Sequence, residues 1–411
     1  MTESSTNYGL SKILLAGGVV IFAIGQSLLF IVVAPMARSI GFTEFEFGIA
    51  FSLANVSLIF AGPFWGKKSD AIGRKPVFII GLFGSAVGTA AMALTLRYGM
   101  DLKEAGVTAG FGLLALVFAS RVIYGLTASA IYPSSSGYMA DVTGWNDRAK
   151  GMALIGSANA LGSILGPAIG GGLAFLGVLF PMWAAVGLSI VAAFIAIAWL
   201  VEPEQHKIRK ANKDPAKPAL KFTDPRLVPY MILWAAFFII FISLNFVTAF
   251  YIQDQYNITQ IDDVMRVASI MLACMAVVIT LVQGVLFQII KLEPHLLMLI
   301  AGPSFALAVF TIAFAPNLIA LGIGFAILGG SFACATPGIN GSASLKMEAH
   351  EQGTAAGYLA AANTSGAILG PVVGAGLYNI QPNAPMLAGG VLMLFISVYA
   401  FTIEKPVQAQ P

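Results

Sequence analysis

The chain has 411 residues, of which 58% are hydrophobic and 10% are charged, with a formal net charge of +3. Soluble globular domains carry roughly 25% charged residues, and the mean hydropathy here is +0.86. This composition excludes a soluble globular protein and predicts one that crosses a membrane. The two cysteines both lie in apolar runs, which argues against a disulfide-rich fold.

Apolar runs follow one another along the chain, each long enough to cross a hydrocarbon core ~30 Å thick as a helix. The twelve runs lie near residues 13–35, 46–66, 76–97, 107–131, 151–175, 180–201, 228–252, 264–290, 294–315, 317–338, 353–379 and 384–403. The first could be a signal peptide, but it is longer than the roughly 7–15 residues of a signal-peptide core. We therefore expect a retained span.

Most of the 22 Lys and Arg residues fall in loops on the side of the two termini. Because basic loops stay in the cytoplasm, this distribution predicts a multi-pass protein of the cell (inner or plasma) membrane with both termini cytoplasmic.

The loop after the second run reads GKKSDAIGRKP, from Gly66 to Pro76. Gly66 would let helices approach closely and Gly73 would permit a tight turn, while Asp70 can face a helix N-terminus. The bases, Arg74 among them, can meet acids or lipid phosphates. A merely positive cytoplasmic loop would explain the bases but not Asp70 and the two spaced glycines.

The fourth run contains SRVIYGLTAS, with Arg121 near its middle. An arginine at mid-bilayer costs ~2.5–3.5 kcal/mol on insertion scales and marks a candidate functional site. The alternative is an arginine that bonds helix carbonyls for packing alone. None of the 19 acids falls in the middle third of a predicted span. A buried cation without an acidic partner favours an anionic or zwitterionic substrate over a lipophilic cation.

The fifth run contains GSILGPAIGG, from Gly162 to Gly171. Gly162, Gly166 and Gly170 share one helix face and allow close packing, and Pro167 permits a bend. Spacing of the GxxxG type is weak evidence by itself, because any packed membrane helix can show it.

A Lys- and Pro-rich stretch, 202–226, separates two sets of six runs. We expect a cytoplasmic linker there between an N-terminal bundle, 1–201, and a C-terminal bundle, 227–411. Residues 158–173 align without gaps on 362–377, which supports a duplication. Two parallel repeats about an axis along the membrane normal are typical of transporters with a central cavity.

Polar side chains inside the runs are candidates for lining such a cavity, although several will be interhelical hydrogen bonds. With Arg121, the candidates for substrate binding and coupling are Gln26, Asn55, Tyr124, Asn159, Asn245, Asn340 and Asn363.

Together, the loop, the R-x3-G motif at Arg121 and the glycine motif resemble those of the major facilitator superfamily. The resemblance implies an all-α membrane protein of twelve helices in two pseudo-symmetric six-helix bundles. It also implies a monomer that exports a drug or metabolite in exchange for protons. The loop would latch one half on the other, with Asp70 at the N-terminus of span eleven and Arg74 paired with Asp141. Ala71 stands where that family usually has an arginine.

Other functions are compatible with parts of this sequence. Proton-coupled uptake of an organic anion would use the same architecture. A membrane enzyme is disfavoured because the three histidines lie in loops or at the end of a run and no HExxH or GxSxG motif occurs. We therefore expect no enzyme, cofactor, metal or nucleic-acid partner, and a small-molecule substrate, protons and the lipid bilayer as partners. A channel or scaffold would not explain the duplication, the loop and the arginine together.

Overall fold

The computed structural model describes residues 3–107, 110–143, 148–203, 220–290, 292–348 and 351–405, and the regular elements in these ranges are helical. In chain order the α-helices are α1 Glu3–Ser39, α2 Glu44–Ile72, α3 Arg74–Glu104, α4 Phe111–Ala128, α5 Ile131–Val142, α6 Arg148–Gly172, α7 Phe180–Trp199, α8 Val228–Tyr256, α9 Ile261–Leu281, α10 Phe287–Ile289, α11 Pro294–Ala313, α12 Leu318–Leu345, α13 Gln352–Ile380 and α14 Ala384–Thr402. The expectation of an all-α membrane fold is confirmed.

Every predicted apolar run contains a helix. In the described ranges, 11 segments are long and apolar enough to cross a membrane, with α4 and α5 together forming one of them, Phe111–Val142. The remaining run, 353–379, is helix α13, which is less apolar because Asn363, Thr364 and Ser365 interrupt it. Large apolar side chains such as Phe60 and Phe395 are exposed on the helix surfaces, as lipid contact requires.

Local sequence signals set several helix ends. Thr43 and Glu46 form a reciprocal capping box at the start of α2, and the Asn317 side chain accepts from Ala320 N at the start of α12, at 2.9 Å. Between α2 and α3 the chain turns at Gly73, whose φ of 112° suits glycine. These caps satisfy backbone groups that would otherwise be left unpaired at the helix termini.

The chain divides into two compact units, Met1–Asp214 with Thr259–Ser269, and Pro215–Ile258 with Ile270–Pro411. In the first unit α1 packs mainly on α6, and α3 packs on α4 and α7. In the second unit α8 packs mainly on α13, and α11 packs on α12 and α14. The same helix pairings recur at corresponding positions, in keeping with the internal repeat. Residues 204–219 of the predicted linker lie outside the described residues.

Candidate functional site

Arg121 lies in α4 and is 1% exposed. Its Nη2 is 3.5 Å from the carbonyl oxygen of Gly88 on α3, the outer limit of a hydrogen bond. Among the described residues no carboxylate pairs with the guanidinium, and Nε has no hydrogen-bond partner. One long contact to a carbonyl does not account for a buried cation as a packing element, because such a group normally needs full hydrogen bonding and a counter-charge.

Aromatic rings surround this arginine. Its Cζ is 5.2 Å from the ring centroid of Tyr124, one helical turn further along α4, and 6.0 Å from that of Phe51 on α2. These distances fall within the range of cation–π attraction, which offsets part of the desolvation of the cation. On the other side, Phe22 of α1 stacks on Tyr124 with centroids 6.1 Å apart.

The aromatic contacts continue to Asn159. Phe22 meets Tyr132 of α5 edge-on at 5.5 Å, and the Tyr132 hydroxyl donates a hydrogen bond to Oδ1 of Asn159 on α6. The predicted candidates Arg121, Tyr124 and Asn159 therefore belong to one connected group within the first unit. We call these three residues with Phe22, Phe51 and Tyr132 the Arg121 cluster. No pattern in the sequence marks Phe22 or Phe51 as part of a site, since apolar aromatic residues are common throughout the spans.

The other polar candidates are half-buried. Three of the asparagines donate from Nδ2 to the carbonyl four residues earlier in their own helix: Asn55 to Phe51 at 3.1 Å, Asn245 to Phe241 at 2.7 Å and Asn340 to Thr336 at 2.9 Å. Gln26 lies one turn after Phe22 on α1, and Asn363 lies in α13. Their role in lining a cavity stays a prediction.

The predicted latch pair is present in the first unit. Arg74 Nε donates to Asp141 Oδ2 at 2.8 Å, and both side chains are buried. Arg74 Nη1 also contacts Asp70 Oδ1 at 2.6 Å and Ser69 Oγ at 2.7 Å. Gly66 differs from expectation, because an added Cβ would meet Pro133 at an ordinary 3.8 Å. Close approach does not require glycine at that position.

Removal of the Asp141 charge should destabilise the first unit. In Asp141→Asn, Arg74 keeps Asp70 and Ser69 but loses its buried carboxylate partner, so we expect a loss of about 1–3 kcal/mol of stability. The control is Asp70→Asn, because the Asp70 side chain is 65% exposed and its pair should contribute little. Thermal unfolding of the purified proteins measures both. Equal melting temperatures for Asp141→Asn and the wild type would contradict the structural importance of the buried pair.

Glu202 is a part of the latch region that sequence reasoning missed. Its carboxylate accepts from the backbone N–H groups of Arg74 at 2.6 Å and Lys75 at 2.8 Å. It thereby caps the N-terminus of α3, where the helix dipole favours a negative charge. A Cβ at Gly73 would lie 2.9 Å from Glu202 Oε1, so the glycine also makes room for this carboxylate. The adjacent Val201 carbonyl accepts from the Tyr138 hydroxyl at 2.5 Å.

Replacement of Glu202 tests the cap. Glu202→Gln keeps the size of the side chain but removes its charge and one acceptor, and we expect a loss of about 0.5–2 kcal/mol. The matched control is Glu404→Gln, because Glu404 follows the last helix of the second unit and is exposed. Hydrogen exchange at the Arg74 and Lys75 amides reports on the cap directly. Unchanged protection of these amides in Glu202→Gln would show that the carboxylate does not hold them.

The fifth-span glycines differ in how tightly they pack. A Cβ at Gly162 would overlap Val20 O and Ala23 on α1, and one at Gly166 would overlap Ser27 Oγ and lie 2.7 Å from Ile24 O. A Cβ at Gly171 would overlap Oγ of Ser269, which belongs to the same unit. Gly170 is looser, with Leu28 at 3.4 Å. Helix α6 runs through Pro167 without ending. Three of these four glycines are therefore required by close helix packing.

A serine accompanies the glycine face in each unit. Ser27 of α1 donates to the Gly162 carbonyl at 3.3 Å, and Ser243 of α8 donates to the Gly370 carbonyl at 2.7 Å. A Cβ at Gly370 would lie 2.7 Å from Ile242, so the repeat also packs tightly. Small residues that admit close backbones and a hydroxyl that bonds across the interface are the usual means of joining membrane helices.

The fold is that of a helical membrane protein with two similar units, in each of which helices pack through small residues. The sequence model of the Major Facilitator Superfamily matches residues 15–371. The chain therefore belongs to the Major Facilitator Superfamily, and it is a small-molecule transporter of the membrane and not an enzyme.

Similar proteins come from bacteria and from man. Multidrug resistance protein 2 of Bacillus subtilis is 24% identical over 395 residues, 93% of this chain and 92% of that protein. Quinolone resistance protein NorA of Staphylococcus aureus is 28% identical over 182 residues, 44% and 43% of the two chains. Among solved structures, the human organic anion transporter MFSD10 has a TM-score of 0.64 at 19% identity, covering 95% of this chain and 98% of that one. An inward-facing bacterial homologue of the lysosomal transporter Spinster has a TM-score of 0.71 at 13% identity, covering 96% of each chain. Both structures show the fold alone.

Proposed function

We propose that this transporter exports a small organic molecule with an anionic or zwitterionic group, in exchange for protons, by alternating access. The observation that carries the proposal is Arg121, a buried cation at the centre of α4 without a carboxylate partner among the described residues. A charge in so apolar a setting needs a counter-ion, and a transported anion would supply it.

The cluster around Arg121 would recognise a flat molecule with one charged end. A charge-assisted hydrogen bond from the guanidinium would hold the anion, and the buried rings of Phe22 and Phe51 and the half-buried ring of Tyr132 form its apolar surroundings. Aromatic rings prefer stacked or edge-on contact with other rings. The chemistry therefore favours an aromatic or otherwise planar acid over an aliphatic polyamine.

The names of similar proteins support the direction and the substrate class. One of them is a multidrug resistance protein and another is a quinolone resistance protein, which favours export. Quinolones are planar aromatic compounds that carry a carboxylate. A protein of similar fold is described as an organic anion transporter. The quinolone and organic anion descriptions are compatible with the anionic or zwitterionic substrate that we propose for the Arg121 cluster, and the multidrug description names no charge.

Exchange for protons rests on the fifth-span glycine motif, which resembles that of antiporters, and the cytoplasmic latch would hold one end of the pathway closed. Both termini would lie in the cytoplasm, where the basic loops belong. In this scheme Gly73, Arg74, Asp70 and Asp141 bias the conformational equilibrium, and Arg121 binds substrate. Each ligand shifts that equilibrium only by its differential affinity for the two states.

Inside-out membrane vesicles test export and coupling together. A fluorescent quinolone should accumulate in vesicles that contain the wild-type protein when respiration acidifies the lumen, and a protonophore should abolish the accumulation. Vesicles without the protein are the control for passive entry. Accumulation that survives a collapsed proton gradient, or an outward movement of the quinolone, would overturn the proposal.

A further inference from the structure

Three buried donors in the first unit have no hydrogen-bond partner among the described residues. They are Nε of Arg121, the hydroxyl of Tyr124 and Oγ of Ser85, and each of the three residues is 1% exposed. Buried polar atoms in folded proteins are nearly always paired with protein or water. Three unpaired donors in one region therefore need an explanation.

The helices bring these donors to the same place. Ser85 and Gly88 lie one turn apart on α3, and Arg121 and Tyr124 lie one turn apart on α4. A Cβ at Gly88 would lie 2.6 Å from Tyr124 Cβ, so the two backbones are in close contact at that level. The Ser85 hydroxyl lies beside the Tyr124 hydroxyl, but the two do not meet the geometry of a full hydrogen bond.

The groups around these three donors favour an anion as their partner. Arg121 Nη2 is oriented by the Gly88 carbonyl, so Nε remains to bind something else. The contacts from the other packed elements include the rings of Phe22 on α1 and Phe51 on α2, which supply no negative charge, and no described carboxylate pairs with Arg121. A water molecule could accept from the hydroxyls but would leave the charge of Arg121 uncompensated. A carboxylate accepts several hydrogen bonds and neutralises the cation.

We propose that Ser85, Tyr124 and Arg121 together form a binding subsite for a single anionic group, with Ser85 as a specificity-determining residue on α3. This inference rests on the proposed function, because it identifies the atoms that would hold the anionic end of the substrate. The anion comes either from the carboxylate of the substrate or from a free inorganic ion such as chloride.

Equilibrium binding to the purified protein in detergent tests the subsite without transport. The probes are radiolabelled benzoate and radiolabelled chloride, measured at constant ionic strength. Ser85→Ala and Tyr124→Phe should each weaken binding roughly threefold to tenfold, the contribution of one hydrogen bond. Arg121→Gln should weaken it by on the order of tenfold to 100-fold. Ser120→Ala is the matched control, because Ser120 is buried beside Arg121 but already donates to the Val117 carbonyl at 2.7 Å.

Each outcome has a defined meaning. Benzoate binding that depends on all three residues supports a subsite for the substrate carboxylate, and chloride binding with the same dependence, without benzoate, supports one for a free ion. Absence of both, or binding that Ser85→Ala and Tyr124→Phe leave unchanged, overturns the subsite. Because no gradient is involved, anion binding without proton-driven export would disprove the proposed function and leave the subsite standing.

Discussion

Arg121→Ala should abolish transport of the substrate while the protein still folds in the membrane. The guanidinium is buried with one long hydrogen bond to Gly88 and no carboxylate partner among the described residues. Its removal relieves a desolvation penalty, which insertion scales put at ~2.5–3.5 kcal/mol for an arginine at mid-bilayer, and this offsets the packing lost with a large buried side chain. Removal of a residue kept for packing alone would lower the melting temperature.

The measurement compares initial transport rates and melting temperatures of the purified variant in the same lipid. Loss of one charge-assisted hydrogen bond to the substrate alone corresponds to a fall of about tenfold to 100-fold in transport efficiency, and the loss of the counter-charge takes transport below detection. Arg121→Lys keeps the charge but loses the planar fork of donors, so it should fall between Ala and the wild type. Full activity in Arg121→Ala, or a marked fall in its melting temperature, would contradict the assignment.

Gly166→Ala should have the second largest effect, this time on folding. The added Cβ overlaps Ser27 Oγ and lies 2.7 Å from the Ile24 carbonyl oxygen. The serine side chain can rotate, but the backbone of α1 can yield only if α1 and α6 separate. Overpacking of this kind costs about 1–3 kcal/mol, and occasionally more.

Two further variants make the glycine prediction specific. Gly172→Ala is the control, because no atom lies within 4 Å of its added Cβ. Ser27→Ala combined with Gly166→Ala removes the hydroxyl and should restore only part of the stability, since Ile24 remains. Thermal unfolding and the amount of folded protein in the membrane are the readouts. If Gly166→Ala and Gly172→Ala unfold at the same temperature, close packing of α1 on α6 does not depend on this glycine.

Much of the fold could be predicted from the sequence because the bilayer requires long apolar helices. The twelve runs, the repeat of 158–173 at 362–377 and the turn at Gly73 all follow from local composition and spacing. Arg121 could be singled out because a charge inside an apolar run is costly whether that side of the helix faces lipid or protein.

The parts that could not be predicted depend on contacts between residues distant in sequence. In the sequence, Glu202 is one acid in a polar stretch. Only the packing of α7 against α3 brings its carboxylate to the Arg74 amide, 128 positions away. Ser85 and Phe22 resemble many other residues in their spans. The need for glycine at position 166, and the lack of that need at position 66, depends on which side chain lies opposite. Neither helix carries that information alone.

The most direct test of the central claim uses the purified protein in vesicles that enclose a pH-sensitive dye, with benzoate, a neutral aromatic compound and tetraphenylphosphonium added in turn. If Arg121 receives a transported anion, benzoate should trigger proton movement in the wild type, Arg121→Ala should be silent, and the other two compounds should have no effect. Proton movement with tetraphenylphosphonium but not with benzoate, retained in Arg121→Ala, would show that the protein carries lipophilic cations and that Arg121 does not bind its substrate.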